Sequence, residues 1–195
     1  MNFTNSFIFI GDTHGFLNDF EKQKEVIERY NPEYVLAESL EDINLESEKN
    51  YQNISYSKKI SNMTSFSIVK DLIELCHIKG IKLIGIDFKN FGFNENLQHK
   101  IINQQEPSLE EKEEINKIVI ERENKHSEML QKYKNKSIKP IVVILGAWHL
   151  RNGSPIFKDL NNYKLIFPCD KEGNIIFEPT DKKISWCERI KGKKY

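Results

Sequence analysis

The sequence predicts an α/β fold, with a mostly parallel central sheet that has helices on both faces. Short apolar runs of β-branched and aromatic residues recur along the chain, at residues 7–10, 34–37, 82–86, 141–145 and 164–167. Such unbroken runs are typical of strands that are buried on both faces. Segments with helical spacing lie between most of them, which favours parallel strands joined by right-handed crossovers. The carboxyl ends of the strands would then share one edge of the sheet.

The composition fits one domain of ordinary size. The chain has 195 residues, and Lys plus Arg number 29, as do Asp plus Glu, so the formal net charge is zero. That balance gives no electrostatic reason to expect binding to nucleic acid or to an anionic membrane. No apolar run approaches the ~20 residues of a membrane-spanning helix, and residues 1–5 do not resemble a signal peptide. We therefore expect a single domain over residues 1–195, located in the cytoplasm.

The three cysteines, Cys76, Cys169 and Cys187, are odd in number and lack the spacing of a metal site. Reduced thiols are the simplest interpretation, and they agree with a cytoplasmic location. The basic residues 189–195 are expected to form a solvated chain terminus.

Helix signals follow most of the strands. The first helix is predicted from the helical spacing of Leu17, Phe20, Lys24, Ile27 and Tyr30, and Asn31-Pro32 ends it. A second helix begins at about residue 64, with Gly80 just past its end. Two polar segments, residues 41–62 and 89–106, are expected to be excursions, the first a flexible lid or a surface loop.

The longest helix has two polar residues on its apolar face. Ser108 and Glu111 form a capping-box signature at its start, and it is expected to run to about Lys134. Arg122 and His126, four residues apart, interrupt the apolar face. Because inward-facing polar groups need partners, we expect Arg122 to bind an anion or to orient a strand-end carboxylate. Exposure of both side chains by snorkelling, or a buried ion pair, is the structural alternative.

The remainder of the chain is predicted to add two short elements. Ser154 and Pro155 favour the start of a short helix, and residues 174–177 are expected to form a sixth strand.

Ionisable residues stand at the ends of four predicted strands. Asp12 and His14 follow the first strand, Glu38 the second, Asp87 the third and His149 the fourth. Both histidines end a Gly-x-x-His pattern. Because ligands bind at the carboxyl edge of open parallel sheets, these side chains predict a site there. A helix cap, a turn or a hydrogen bond within a loop is the structural alternative for each of them.

The residue types indicate hydrolysis. Imidazole serves both as a metal ligand and as a general base, so we expect His14, Glu38, Arg122 and His149 to be catalytic. A divalent metal held by His14, Glu38 and His149 would activate water, and manganese, zinc and iron suit these ligands equally. An imidazole could instead activate water directly. Arg122 would stabilise an oxyanion or hold a substrate carboxylate. Three further candidates for the site are Asp12, Asp87 and His126.

The order of these motifs resembles a superfamily that groups Tiki proteases, TraB and PrgY proteins, erythromycin esterase and ChaN. A first Gly-x-x-His ends at His14, a glutamate ends the second strand at Glu38, an arginine lies in a later helix at Arg122, and a second Gly-x-x-His ends at His149. The order and the coarse spacing agree over residues 6–150. Glu123 departs from the pattern, in which Asn or Asp more often follows the arginine.

This resemblance implies several activities. The Tiki branch looks like metal-dependent peptidases, in which His14, Glu38 and His149 would map onto the site. The erythromycin-esterase branch opens a lactone with a histidine as general base, and the ChaN branch is associated with haem or iron binding. Fold-level likeness does not choose among them. The expected partner is a small-molecule or peptide substrate, not nucleic acid or a membrane.

Two other functions remain open. Residues 12–15, Asp-Thr-His-Gly, match the opening motif of calcineurin-like metallophosphoesterases, although that family's Gly-Asp-x-x-Asp and Gly-Asn-His segments do not occur here. A non-catalytic protein that binds a metal, haem or another small ligand at the same residues is the second alternative. No Cys-x-x-Cys-His motif supports covalent attachment of haem.

Overall fold

A computed structural model, which describes residues 6–13, 18–54, 66–103, 105–177 and 185–192, contains a seven-stranded sheet. The strands are β1 (Phe7–Asp12), β2 (Tyr34–Ala37), β3 (Asn44–Leu45), β4 (Lys82–Gly85), β5 (Ile141–Gly146), β6 (Asn162–Cys169) and β7 (Ser185–Gly192). Their order across the sheet is β3-β4-β2-β5-β1-β6-β7. The five inner strands are parallel, and the two edge strands run antiparallel to their neighbours. The prediction of a mostly parallel α/β fold is confirmed.

The described residues form five α-helices: α1 (Asp19–Tyr30), α2 (Glu48–Ile54), α3 (Phe66–Ile78), α4 (Glu95–Ile102) and α5 (Leu109–Tyr133). Helix α1 ends at Asn31, which adopts a left-handed conformation with φ 42°. Helix α5 begins with the predicted capping box, since the Ser108 and Glu111 side chains accept each other's backbone N–H groups. None of the helices in these ranges is long and apolar enough to cross a membrane.

Alternate strand residues pack on opposite faces of the sheet. On one face, Ile8, Val35 and Val142 share a buried cluster with Ile27 of α1 and Leu72 of α3. On the other face, the neighbouring residues pack against α5, as the cluster of Phe9, Leu36, Val143, Leu130 and Tyr133 shows. Burial on both faces explains why the inner strands are unbroken apolar runs.

The described parts of the two polar segments contain regular structure that the sequence analysis did not predict. In the first segment, β3 pairs with β4, and the hydroxyl of buried Tyr51 in α2 donates to the Ile81 carbonyl at 2.6 Å. In the second, the Asn94 side chain caps α4 by accepting from the Leu97 N–H. Pairing at the edge of the sheet and helix caps hold these elements in place. Such interactions leave little apolar pattern in the sequence. The predicted lid beyond residue 54 lies outside the described residues.

The carboxyl-terminal part also differs from the prediction. The prediction of a solvated terminus over residues 189–195 missed that residues 189–192 belong to the edge strand β7, whose backbone pairs with β6 along its whole length. Residues 193–195 lie outside the described residues. A disulfide joins Cys169 of β6 to Cys187 of β7. The expectation of reduced thiols is therefore wrong for this pair, whereas Cys76 is a buried free thiol.

One smaller prediction is corrected as well. Residues 174–177 are not a strand, because after the turn at Gly173 they contribute only an isolated bridge between Ile175 and Cys169. In α1, Lys24 shares the helical spacing of Phe20, Ile27 and Tyr30 but is exposed. The buried residues of that helix are Asp19, Gln23, Val26 and Ile27.

Candidate functional site

The carboxyl ends of β2, β4 and β5 bring ionisable side chains together. Glu38 begins a 3-10 turn directly after β2, Asp87 lies two residues past β4, and His149 lies in the 3-10 turn after β5. Arg122 of α5 contacts the two carboxylates from the covering helix. Each of the four residues exposes at most 9% of its surface. We refer to these four residues, with His126 and Glu123, as the strand-end cluster.

Arg122 is the centre of the strand-end cluster. Its Nε and Nη2 donate to Asp87 Oδ2 at 2.9 and 2.7 Å, and its Nη2 also donates to Glu38 Oε1. The guanidinium carbon lies 5.0 Å from the centre of the Phe91 ring, a cation–π arrangement. Burial disfavours the charge, but the two carboxylates outweigh it and raise the pKa of Arg122. These contacts form a buried ion pair with two strand-end carboxylates, which fits both the predicted orienting role of Arg122 and the structural alternative of an ion pair.

Asp87 is held by a second side chain of the same helix. Nε2 of His126 lies 3.2 Å from Asp87 Oδ2, and the two residues are 0% and 1% exposed. Burial opposes ionisation of Asp87, but the hydrogen bond from His126 and the charge of Arg122 hold its pKa below the usual range. Nδ1 of His126 has no hydrogen-bond partner in the part of the chain that the structure describes.

His149 lies between two carboxylates. Its Nδ1 is 3.0 Å from Glu123 Oε1, and its Nε2 is 3.4 Å from Glu38 Oε1. Burial alone would lower the pKa of the imidazole, but hydrogen bonds to Glu123 and Glu38 raise it to about 9. The raised pKa favours the imidazolium form at neutral pH, which is the form that donates a proton.

Glu123 is a member of the cluster that the sequence analysis did not select. Besides His149, its carboxylate binds Arg151, whose Nη2 donates to Oε2 at 3.0 Å. Burial raises the pKa of Glu123, but the hydrogen bonds from His149 and Arg151 outweigh it and lower the pKa to about 2. Its one signal in the sequence is its position directly after Arg122, where the superfamily pattern more often has Asn or Asp.

Asp12, at the end of β1, makes different contacts. Its Oδ2 accepts from Nε2 of Gln23 at 3.1 Å. The nearby Asp19 carboxylate accepts from both the N–H and the hydroxyl of Thr13, each at 3.1 Å. Burial, and then the proximity of Asp12, raise the pKa of Asp19 to about 8. The other predicted residue of this segment, His14, lies outside the described residues.

The two predicted metal ligands that the structure describes are already engaged. Oε1 of Glu38 accepts from Arg122, and its Oε2 accepts from the Gly146 N–H at 2.6 Å. Both ring nitrogens of His149 face carboxylate oxygens, Nδ1 that of Glu123 and Nε2 that of Glu38. Among the described residues, no group of three His, Cys, Asp or Glu side chains is arranged to hold a metal ion. As they stand, Glu38 and His149 take part in a network of ion pairs with Arg122 and Glu123.

Comparison of the chain with models of known protein families gives no match. Comparisons with curated proteins and with solved structures give no match either. The resemblance to the Tiki, TraB and erythromycin-esterase superfamily therefore depends on the sequence motifs alone.

Proposed function

We propose that the chain is a hydrolase that adds water to the carbonyl carbon of an ester, lactone or peptide. The observation that carries this proposal is the strand-end cluster, in which Arg122 and His149 are buried among Glu38, Asp87 and Glu123. Desolvating each charge costs several kcal/mol, and apolar packing often gives equal or greater stability. Ordered cations at the carboxyl edge of a parallel sheet suit the stabilisation of a developing oxyanion.

Arg122 and His149 are the groups that would contact the substrate. They are 9% and 5% exposed, whereas Asp87 and His126 are at most 1% exposed and act as positioning residues. Arg122 uses Nε and Nη2 for its carboxylates, and its Nη1 has no hydrogen-bond partner among the described residues. We assign Nη1 to the carbonyl oxygen, which becomes negative when water attacks. We assign the Nε2 proton of His149 to the leaving oxygen or nitrogen.

The attacking water needs a base, and we assign this role to His14 on its Gly-x-x-His motif. A neutral imidazole takes one proton from water while the water oxygen bonds to the carbonyl carbon. The bond to the leaving group then breaks, and His149 supplies the proton that completes the alcohol or amine. The products are a carboxylic acid and that alcohol or amine. We assign every step to side chains, since Glu38 accepts hydrogen bonds from Arg122 and from the Gly146 N–H.

A panel of p-nitrophenyl esters, lactones and short peptides tests the proposal. We expect the wild-type chain to hydrolyse at least one of these classes. His149→Asn should lower kcat by about 10²–10³, the usual effect of losing one group that stabilises the transition state. The matched control is His99→Asn, which makes the same change at an exposed residue and should retain wild-type rates. A His149→Asn variant with the activity of the wild type would contradict the proposal.

The pH profile separates a proton donor from a merely structural histidine. Because the pKa of His149 is about 9, the rate should fall as the pH rises through about 9, where the imidazolium loses its proton. A structural role would leave that alkaline limb unchanged while folding is maintained. Thermal unfolding of each variant identifies losses of activity that are caused by unfolding.

A further inference from the structure

A second group of cations surrounds a cavity of about 540 Å³. It lies between residues 151–158, which follow the turn that carries His149, and the first half of β6. Its size is typical of sites for small molecules. The polar and aromatic residues on which the argument depends are Arg151, Ser154, Phe157, Lys158, Tyr163 and Lys191. We call it the basic cavity.

All charged side chains that line the basic cavity are cations. They are Arg151, Lys158 and Lys191, and none of the described lining residues is an Asp or Glu. Arg151 is neutralised by Glu123. Lys158 and Lys191, by contrast, form no ion pair within the described ranges of the chain. Two unneutralised ammonium groups at one cavity create a positive potential that attracts an anion.

Ser154 adds a hydroxyl whose hydrogen-bonding capacity is unused. The residue is 5% exposed, and its buried Oγ has no hydrogen-bond partner among the described residues. The Ser154 N–H donates to the Arg151 carbonyl at 3.3 Å, so a turn fixes the backbone at this position. The Ser154 Oγ is closed off from solvent, so a ligand in the cavity does not contact it as the side chain stands. A buried hydroxyl without a partner is unfavourable for stability.

The remaining wall is aromatic and apolar. The rings of Phe157 and Tyr163 stack with their centres 4.7 Å apart and their planes 11° from parallel. Leu165 lines the same cavity and is 4% exposed. Such a wall favours a ligand with a flat or apolar body, because contact removes apolar surface from water.

We propose that the basic cavity binds a small aromatic or apolar molecule that carries a phosphate or carboxylate group. Lys158 and Lys191 bind the oxyanion, and Phe157 and Tyr163 contact the carbon body. The site is separate from the proposed hydrolase chemistry and does not depend on it.

Calorimetric titration of the full chain tests this proposal with three probes: phenyl phosphate, benzoate and the neutral benzyl alcohol. We expect at least one of the two anions to bind with 1:1 stoichiometry and benzyl alcohol to bind far more weakly. Replacing both cavity lysines, Lys158→Gln/Lys191→Gln, should weaken binding on the order of tenfold or more, which is about 1.4 kcal/mol. The control Lys117→Gln/Lys171→Gln makes the same charge change at exposed lysines that do not line the cavity and should bind as the wild type does.

Ser154→Ala provides a second, smaller change. It removes only the buried hydroxyl and should leave anion binding as in the wild type, while the thermal unfolding temperature is maintained or raised, since an unsatisfied buried group is lost. The ratio of the two anion affinities distinguishes a phosphate site from a carboxylate site. The proposal is overturned if neither anion binds, if benzyl alcohol binds as tightly, or if the Lys158→Gln/Lys191→Gln variant binds as the wild type does.

Discussion

Arg122 neutralises two buried carboxylates at once, which makes its removal costly. Arg122→Ala leaves Glu38 and Asp87 buried without their shared cation, and breaking a buried pair in this way typically costs about 3–5 kcal/mol. The free energy of unfolding in urea measures the loss. Arg29→Ala is the matched control, because Arg29 pairs with Glu188 at 3.1 Å with 52% of its side chain exposed.

The control variant should lose less than about 1 kcal/mol, since water solvates both partners of an exposed pair. Similar losses for Arg122→Ala and Arg29→Ala would show that the strand-end cluster is not desolvated in solution.

Asp19 should make the stability of the fold decrease as the pH rises, whereas most carboxylates make it increase. Its pKa is raised from 3.8 to about 8 by burial and by Asp12, so the folded state holds a proton that the unfolded state releases between these values. Stability should therefore fall as the pH rises through this window, by at most about 1.4 kcal/mol per pH unit. Asp19→Asn removes the titration and should flatten this slope in urea unfolding.

Asp71→Asn makes the same change at an exposed position and should retain the wild-type slope. If Asp19→Asn also retains the wild-type slope of stability against pH, the proton is not held at the pair formed by Asp12 and Asp19.

Individual site residues could be predicted where they interrupted a pattern. Arg122 and His126 were identifiable because they stand on the apolar face of a helix, and both are buried with carboxylate partners. Glu123 has no such signal. It adjoins Arg122 off that face, and its burial depends on His149 and Arg151, which lie 26 and 28 residues further along the chain. Contacts between such distant residues arise from the tertiary fold and leave no local pattern.

At the scale of elements, the disulfide fixes the edge strand β7 to β6. Cys169 and Cys187 are separated by 18 residues, and closing a loop of that length stabilises a fold by about 3 kcal/mol through the entropy of the unfolded chain. Dithiothreitol should therefore lower the free energy of unfolding of the wild type by about this amount. The Cys169→Ser/Cys187→Ser variant should already have the lower value, and reductant should not change it further. Insensitivity of the wild type to reductant would contradict the pairing.

The elements that could be predicted are those whose sequences contain a clear apolar pattern. The inner strands are buried on both faces and are therefore unbroken apolar runs, and α5 carries both a capping box and an apolar stripe. Strand β7 lacks such a run, since most of its residues are exposed and its position follows from backbone pairing with β6. Helices α2 and α4 are short and polar, and α4 depends on its Asn94 cap. Pairing and capping of this kind involve few residues, which a periodicity argument does not detect.

At the scale of the whole molecule, strand order decides which side chains meet. Strand β5 lies between β2 and β1, and β4 lies on the other side of β2. This order places Glu38 within hydrogen-bonding distance of the Gly146 N–H, 108 residues away in sequence. The parallel arrangement predicted that strand ends share an edge. The insertion of β5 beside β2 could not be predicted, because all the inner strands have similar apolar sequences and can pair with any neighbour.

One measurement on the whole molecule, the metal content of the purified chain, tests the proposed mechanism. Because Arg122, the Gly146 N–H and protons already engage Glu38 and His149, we expect no stoichiometric manganese, zinc or iron. Dialysis against EDTA should leave both hydrolysis and the thermal unfolding temperature unchanged. The His14→Ala/His149→Ala variant serves as the reference for metal bound elsewhere on the chain. Stoichiometric metal in the wild type that is lost from this variant would replace the histidine mechanism with metal-activated water, and Arg122 would then have to leave Glu38 when the ion binds.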